Sequence, residues 1–99
     1  MKISKAVMAG SLESSDVQVT IEPAKGQVTL ELSSSVLGQY GKQIRQVVLD
    51  TLTSLGVEAA KVTVVDKGAL DCTIRARTEC AVYRAAGFDG PIPWGGGRE

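Results

Sequence analysis

The chain has 99 residues and equal numbers of basic and acidic side chains, 11 Lys and Arg against 11 Asp and Glu. This length predicts one small domain, residues 1–99, because two hydrophobic cores would each bury too little apolar surface to offset the entropy of ordering the chain. The balanced charge argues against binding to the phosphate backbone of a nucleic acid.

Several residue types that catalysis and metal binding require are scarce. The chain has no histidine, which removes the commonest general base and the commonest metal ligand, and its two cysteines are too few for a zinc cluster. Cys72 and Cys80 lie about 12 Å apart along a predicted helix, too far for a disulfide, and we expect both to be buried. The first ten residues contain no apolar run typical of a signal peptide or membrane span, so we expect a cytoplasmic protein.

Two strands are predicted first. Apolar residues alternate with polar ones from Asp16 to Glu22, and again around Val28, Leu30 and Leu32. The segment Pro23–Gly26 between them has the composition of a turn. These patterns predict a β-hairpin.

Helical periodicity then alternates with one more strand. A helix is predicted after the cap candidates Ser33, Ser34 and Ser35, ending at Gly56. A β-branched strand follows at Lys61–Asp66, and a second helix at Ala69–Ala86, closed by Gly87. The apolar face of the first helix comprises Val36, Leu37, Tyr40, Ile44, Val47, Val48, Leu52 and Leu55.

The order of these elements, ββαβα, predicts an α+β fold. We expect a small sheet of three or so strands, a hairpin plus one strand, covered on one face by two helices. Residues 1–15 form an N-terminal segment ahead of the sheet. Residues 87–99 are predicted to be an irregular tail, with Ile92 or Trp94 as an anchor.

The segment Met8–Asp16 is rich in small and polar residues, which is typical of a surface loop. Composition by itself does not distinguish Ser14 from Ser11 or Ser15 as a functional group. Two motifs do make that distinction. Ala9-Gly10-Ser11-Leu12-Glu13-Ser14-Ser15-Asp16 and Asp66-Lys67-Gly68-Ala69-Leu70-Asp71-Cys72, continuing to Arg75-Ala76-Arg77, resemble the two signature regions of the citrate lyase acyl carrier proteins, and Pro93-Trp94 fits as well.

This resemblance implies a carrier without catalytic residues. In the family, the serine at the position of Ser14 carries 2'-(5''-phosphoribosyl)-3'-dephospho-CoA through a phosphodiester bond. The thiol of that arm holds acetyl as a thioester, and a CoA-transferase (alpha) subunit exchanges this acetyl for citrate with release of acetate. A lyase (beta) subunit then cleaves the citryl thioester into oxaloacetate and acetyl thioester. A separate prosthetic-group transferase, the holo-synthase, attaches the arm.

Charged residues near the signatures allow several interpretations. Glu13 and Asp16 are either solvated charges or carboxylates that repel a polyphosphate donor, in which case the transferase would supply Mg²⁺ with Lys or Arg. Arg75 and Arg77 are either solvated or bind phosphates of the arm or an acidic partner surface. If the two arginines are solvated, the acidic residues of the second motif have a structural role, in which Asp66 or Asp71 interacts with backbone amides at the start of the second helix.

Other functions remain open at this point. The chain could serve a related complex, such as citramalate lyase or malonate decarboxylase, because the partner subunits choose the acyl group. It could also be a small binding module whose serine is never modified. A free-standing enzyme is disfavoured by the missing histidine and by the lack of a recognisable acid–base pair. Phosphopantetheine carriers of the helical-bundle type differ, because their serine begins a helix whereas Ser14 precedes a predicted strand.

Overall fold

The computed structural model describes residues 1–34 and 37–87. The predicted α+β architecture is confirmed, with four strands in the described residues where three or so were expected. Ser35, Val36, Ile92 and the Pro93-Trp94 pair lie outside the described residues. The elements in chain order are β1 (Val7–Gly10), β2 (Val17–Glu22), β3 (Val28–Ser34), α1 (Leu37–Ser54), β4 (Ala60–Asp66) and α2 (Asp71–Ala85).

The four strands form one sheet in the order β1-β2-β4-β3. The predicted hairpin of β2 and β3 is therefore wrong, because β4 lies between these strands, antiparallel to β2 and parallel to β3. The valine-rich β4 is stabilised by this central position, because its backbone is hydrogen-bonded to a strand on each side and its side chains Val62 and Val64 are fully buried. The crossover through α1 returns the chain parallel to β3.

Strand β1 was not predicted. Its four residues pair antiparallel with β2, from Val7 opposite Ile21 to Gly10 opposite Gln18. So short a strand, half of it Ala9 and Gly10, carries too little alternation to be recognised in the sequence. The hairpin of this protein is thus formed by β1 and β2, and its connection is the segment 11–16.

Helix α1 starts later than predicted, because Ser33 and Ser34 are the last residues of β3. It ends at Ser54, just before Gly56, as expected. Its apolar face is largely confirmed, since Ile44, Val48, Leu52 and Leu55 are buried, but Tyr40 is 47% exposed. No helix among the described residues is long and apolar enough to cross a membrane.

Helix α2 packs over β1 and β2, while α1 packs over β3 and against α2. Both helices cover the sheet face that carries Val17, Val19 and Ile21, as predicted. The two cysteines are unpaired, as expected. The prediction that both are buried is wrong, because Cys72 is exposed in the first turn of α2 and Cys80 is half-buried.

Candidate attachment site

Ser14 lies at the tip of the β1–β2 hairpin, in a four-residue turn from Glu13 to Asp16. The amide of Asp16 donates to the carbonyl of Glu13 at 3.1 Å, which closes the turn. Ser15, the third residue, has a φ of 65°, in the left-handed region that serine rarely adopts. Ser14 is exposed, and its hydroxyl has no hydrogen bond to any residue of the described ranges.

The backbone of this turn is tied to the far end of β4. The amide of Ser15 donates to the carbonyl of Lys67 at 2.8 Å, and the amide of Lys67 donates to the carbonyl of Asp16 at 2.9 Å. These bonds continue the β2–β4 ladder beyond its last strand pair, Val17 with Asp66. The two signature segments are therefore neighbours in space, although about 50 residues separate them in the chain.

The carboxylate of Asp16 connects the loop to α2. Its two oxygens accept hydrogen bonds from Nε and Nη2 of Arg77, both at 3.1 Å, and further bonds from the Ser11 hydroxyl and the Val17 amide. The Ser11 hydroxyl, the Val17 amide and the Arg77 guanidinium together lower the pKa of Asp16 to about 2. Asp16 is therefore ionised throughout the physiological range.

Gly10 permits the tight approach of the two strands below this carboxylate. Its φ is +89°, and a Cβ built on it would lie 1.9 Å from the carbonyl oxygen of Val17 and 3.3 Å from Cδ of Arg77. A side chain at this position would thus collide with backbone as well as adopt a strained conformation. The glycine in the first signature is explained by this contact.

Asp66 organises the second signature. It is 1% exposed, and its carboxylate accepts hydrogen bonds from the Ser34 hydroxyl at 2.7 Å and from the amides of Gly68 and Ala69. Asp66 therefore fixes the turn ahead of α2, and the amides it binds precede the helix, which starts at Asp71, instead of belonging to its first turn as expected. Asp71 instead accepts a bond from Gln43 of α1 at 2.8 Å.

The two arginines of α2 have different partners. Arg77 is not a freely solvated charge, because its Nε and Nη2 hold Asp16 in a two-point ion pair, while its side chain stays 44% exposed and its Nη1 takes no part in that pair. Asp16 is correspondingly not a solvated carboxylate. Arg75 is 52% exposed and lies 3.6 Å from the buried Glu79 on the same helix.

The charges around Ser14 nearly cancel. Glu13 is exposed, but the negative charge of Asp16 is offset by Arg77, and the exposed Lys67 adjoins the turn through its backbone. Repulsion of an anionic donor is therefore weaker than the sequence suggested. The saturated Asp16 is a poor base, and no group of three or more His, Cys, Asp or Glu in the described part of the chain could hold a metal ion.

Comparison with known proteins decides the family. Residues 4–85 match the family model described as ACP: Malonate decarboxylase delta subunit (MdcD). The chain is 56% identical over 89 residues to the citrate lyase acyl carrier protein of Streptococcus uberis, and this aligned region covers 90% of this chain and 88% of that protein. The citrate lyase acyl carrier protein of Streptococcus mutans is 59% identical over 87 residues, covering 87% and 85%.

The chain belongs to the citrate lyase acyl carrier protein family. Members of this family are carriers rather than catalysts, which confirms the prediction of a non-catalytic protein. A solved structure has a similar fold: a chain in the crystal structure of a Pseudomonas malonate decarboxylase hetero-tetramer in complex with malonate matches with a TM-score of 0.74. That chain is 18% identical, and the match covers 84% of this chain and 86% of the other.

The ion pair between Asp16 and Arg77 is the part of the site that sequence reasoning missed. The partners are 61 residues apart, and neither periodicity nor composition links them. Their occurrence in two separate signature motifs was the one available signal. It pointed to both residues but not to their contact.

Proposed function

We propose that this chain is the acyl carrier subunit of a citrate lyase and that Ser14 carries 2'-(5''-phosphoribosyl)-3'-dephospho-CoA through a phosphodiester bond. The observation that carries the proposal is the setting of Ser14, an exposed hydroxyl at the corner of an anchored turn. The other two serines of the loop differ from it. Ser11 uses its hydroxyl to bind Asp16, and Ser15 holds the left-handed position of the turn.

The residues at this site fit a covalently attached group. A primary hydroxyl forms a stable phosphodiester, and the neighbouring Lys67 adds a positive charge without an ion pair among the described residues. The bound arm would supply a terminal thiol that holds the acyl group as a thioester. The protein would hold the arm on a rigid hairpin, so that its reach sets the local concentration of acyl group at partner active sites.

No side chain of the loop at residues 11–16 is hydrogen-bonded to the Ser14 hydroxyl as a general base would be. We infer that a separate transferase attaches the arm and that CoA-transferase and lyase subunits act on its thioester. The malonate decarboxylase hetero-tetramer supports such an assembly, because a chain of similar fold occurs there within a multi-subunit complex.

A carrier for malonate decarboxylase is the second candidate, favoured by the description of the matching family model. The identities weigh against it, at 56% and 59% to citrate lyase carriers against 18% to the chain in the decarboxylase structure. Reconstitution separates the two. The acetylated holo-chain should support citrate cleavage with citrate lyase subunits and should not support malonate decarboxylation with decarboxylase subunits.

The attachment site is tested by intact mass and peptide mapping of protein expressed together with its transferase. The wild type and Ser15→Ala should gain the mass of the arm on the peptide that contains Ser14, whereas Ser14→Ala should remain unmodified. An adduct on Ser11 or Ser15 in the wild type would move the site. A wild type without any adduct in citrate-metabolising cells would favour an unmodified binding module.

A further inference from the structure

Arg77 reaches the serine loop from a different element. It lies in the second turn of α2, yet two of its nitrogens bind the two oxygens of Asp16, which follows the turn residues Ser14 and Ser15. A two-point contact fixes both the distance and the angle between the groups it joins. The base of the hairpin loop is thus held in a defined orientation relative to the helix.

The turn itself has little else to stabilise it. Residues 12–15 are all exposed, and Ser15 adopts a left-handed conformation that a side chain disfavours. Asp16 takes part in most of the remaining contacts, since its amide closes the turn, its carbonyl accepts from Lys67 and its carboxylate binds Ser11; the Ser15 amide adds one bond to the Lys67 carbonyl. Loss of Arg77 would leave that carboxylate held only by the Ser11 hydroxyl and the Val17 amide, both within the hairpin, and would remove the link from the base of the loop to α2.

We propose that Arg77 is a positioning residue, which holds the Ser14 turn in the conformation that the attaching enzyme recognises. The inference rests on the proposed function of Ser14. If the turn adopts this conformation in only a fraction of the carrier molecules, the apparent affinity of the attaching enzyme for the carrier is reduced in proportion to that fraction. The effect should therefore appear in the KM for the carrier more than in kcat.

Arg75 provides a matched control. It has the same charge, lies two residues earlier on α2, and its ion pair is with Glu79 of the same helix. Arg77→Gln removes both the charge and the two-point contact, while Arg77→Lys retains the charge alone. Thermal unfolding of each variant would first establish that it is folded.

Two measurements on these variants test the inference. In the unmodified chain, amide hydrogen exchange of residues 12–16 should accelerate in Arg77→Gln and remain unchanged in Arg75→Gln. With purified transferase, Arg77→Gln should raise the KM for the carrier about tenfold, Arg77→Lys should be intermediate, and Arg75→Gln should match the wild type.

The outcomes that oppose the inference are distinct. Unchanged exchange in Arg77→Gln would show that Arg77 does not order the turn, and faster exchange with unchanged KM would show that this order does not matter to the enzyme. An equal rise of KM in Arg75→Gln would indicate a general effect of charge on binding. A wild-type chain that accepts no arm would overturn the proposed function itself, and with it this inference.

Discussion

Among single residues, Asp16 has the largest structural role in the loop. It was expected to be a flanking charge, but its carboxylate accepts bonds from Ser11, Val17 and Arg77. A carboxylate with this many donors is stabilised in its charged form, which is why its pKa falls to about 2. Ser14, by contrast, is exposed, and the modification proposed for it depends on access to its hydroxyl.

The lowered pKa predicts how stability depends on pH. The folded-state pKa of Asp16 lies below the ordinary value of 3.8, so its contribution is present above about pH 4 and is lost as the pH falls towards 2. We expect Asp16→Asn to reduce the free energy of unfolding by about 1 kcal/mol at pH 7, because the partly exposed ion pair is screened by solvent.

Denaturant titrations of the wild type and this variant between pH 7 and pH 2 measure the difference. The difference in the free energy of unfolding between the wild type and Asp16→Asn should disappear as the solution is acidified. Glu58→Gln, which changes an exposed carboxylate at the other end of the sheet, should show little difference at any pH. A gap that persisted at pH 2 would mean that the ionised carboxylate is not the source of the stabilisation.

At the scale of elements, strand β4 determines the sheet. Its alternating residues face in opposite directions, so that Val62 and Val64 are buried below the helices whereas Lys61 is exposed and Thr63 and Val65 are half-buried. The register places Val64 between Val19 of β2 and Leu32 of β3. The sequence predicted a strand here from its β-branched residues but indicated neither its neighbours nor its more open face.

A pair of adjacent substitutions tests this orientation. Val64→Ala should lower the free energy of unfolding by about 2 kcal/mol, because it leaves a cavity in the buried layer. Val65→Ala should cost less than about 1 kcal/mol, since only part of its side chain is covered. Urea unfolding of both variants measures the two values, and equal losses would contradict the assigned faces.

For the whole molecule, the strand order has consequences that a β2–β3 hairpin would not have. With the order β1-β2-β4-β3, β4 is hydrogen-bonded along both edges, and β1 and β3 are the outer strands. The loop with Ser14 then lies beside the end of β4, where Lys67 contacts it. A simple hairpin of β2 and β3 would have left β4 at an edge.

Native-state hydrogen exchange distinguishes the two arrangements. We expect the amides of residues 61–65 in β4 to be among the slowest, exchanging at the rate of global unfolding, while alternate amides of the outer strand β1 exchange at least about tenfold faster. Rapid exchange at every second amide of β4 would indicate an edge strand and would exclude the present strand order.

Much of this protein follows from its sequence alone. The periods of two and 3.6 residues located β2, β3, β4 and both helices, because burial of one face imposes these periods locally. The tertiary structure alone decided that β4 enters between β2 and β3, that β1 exists, and that Arg77 holds Asp16. Ser14 was selected by resemblance between motifs and not by any period. Periodicity reports which side of an element faces the core, whereas strand neighbours and contacts across 61 residues depend on how the elements pack together.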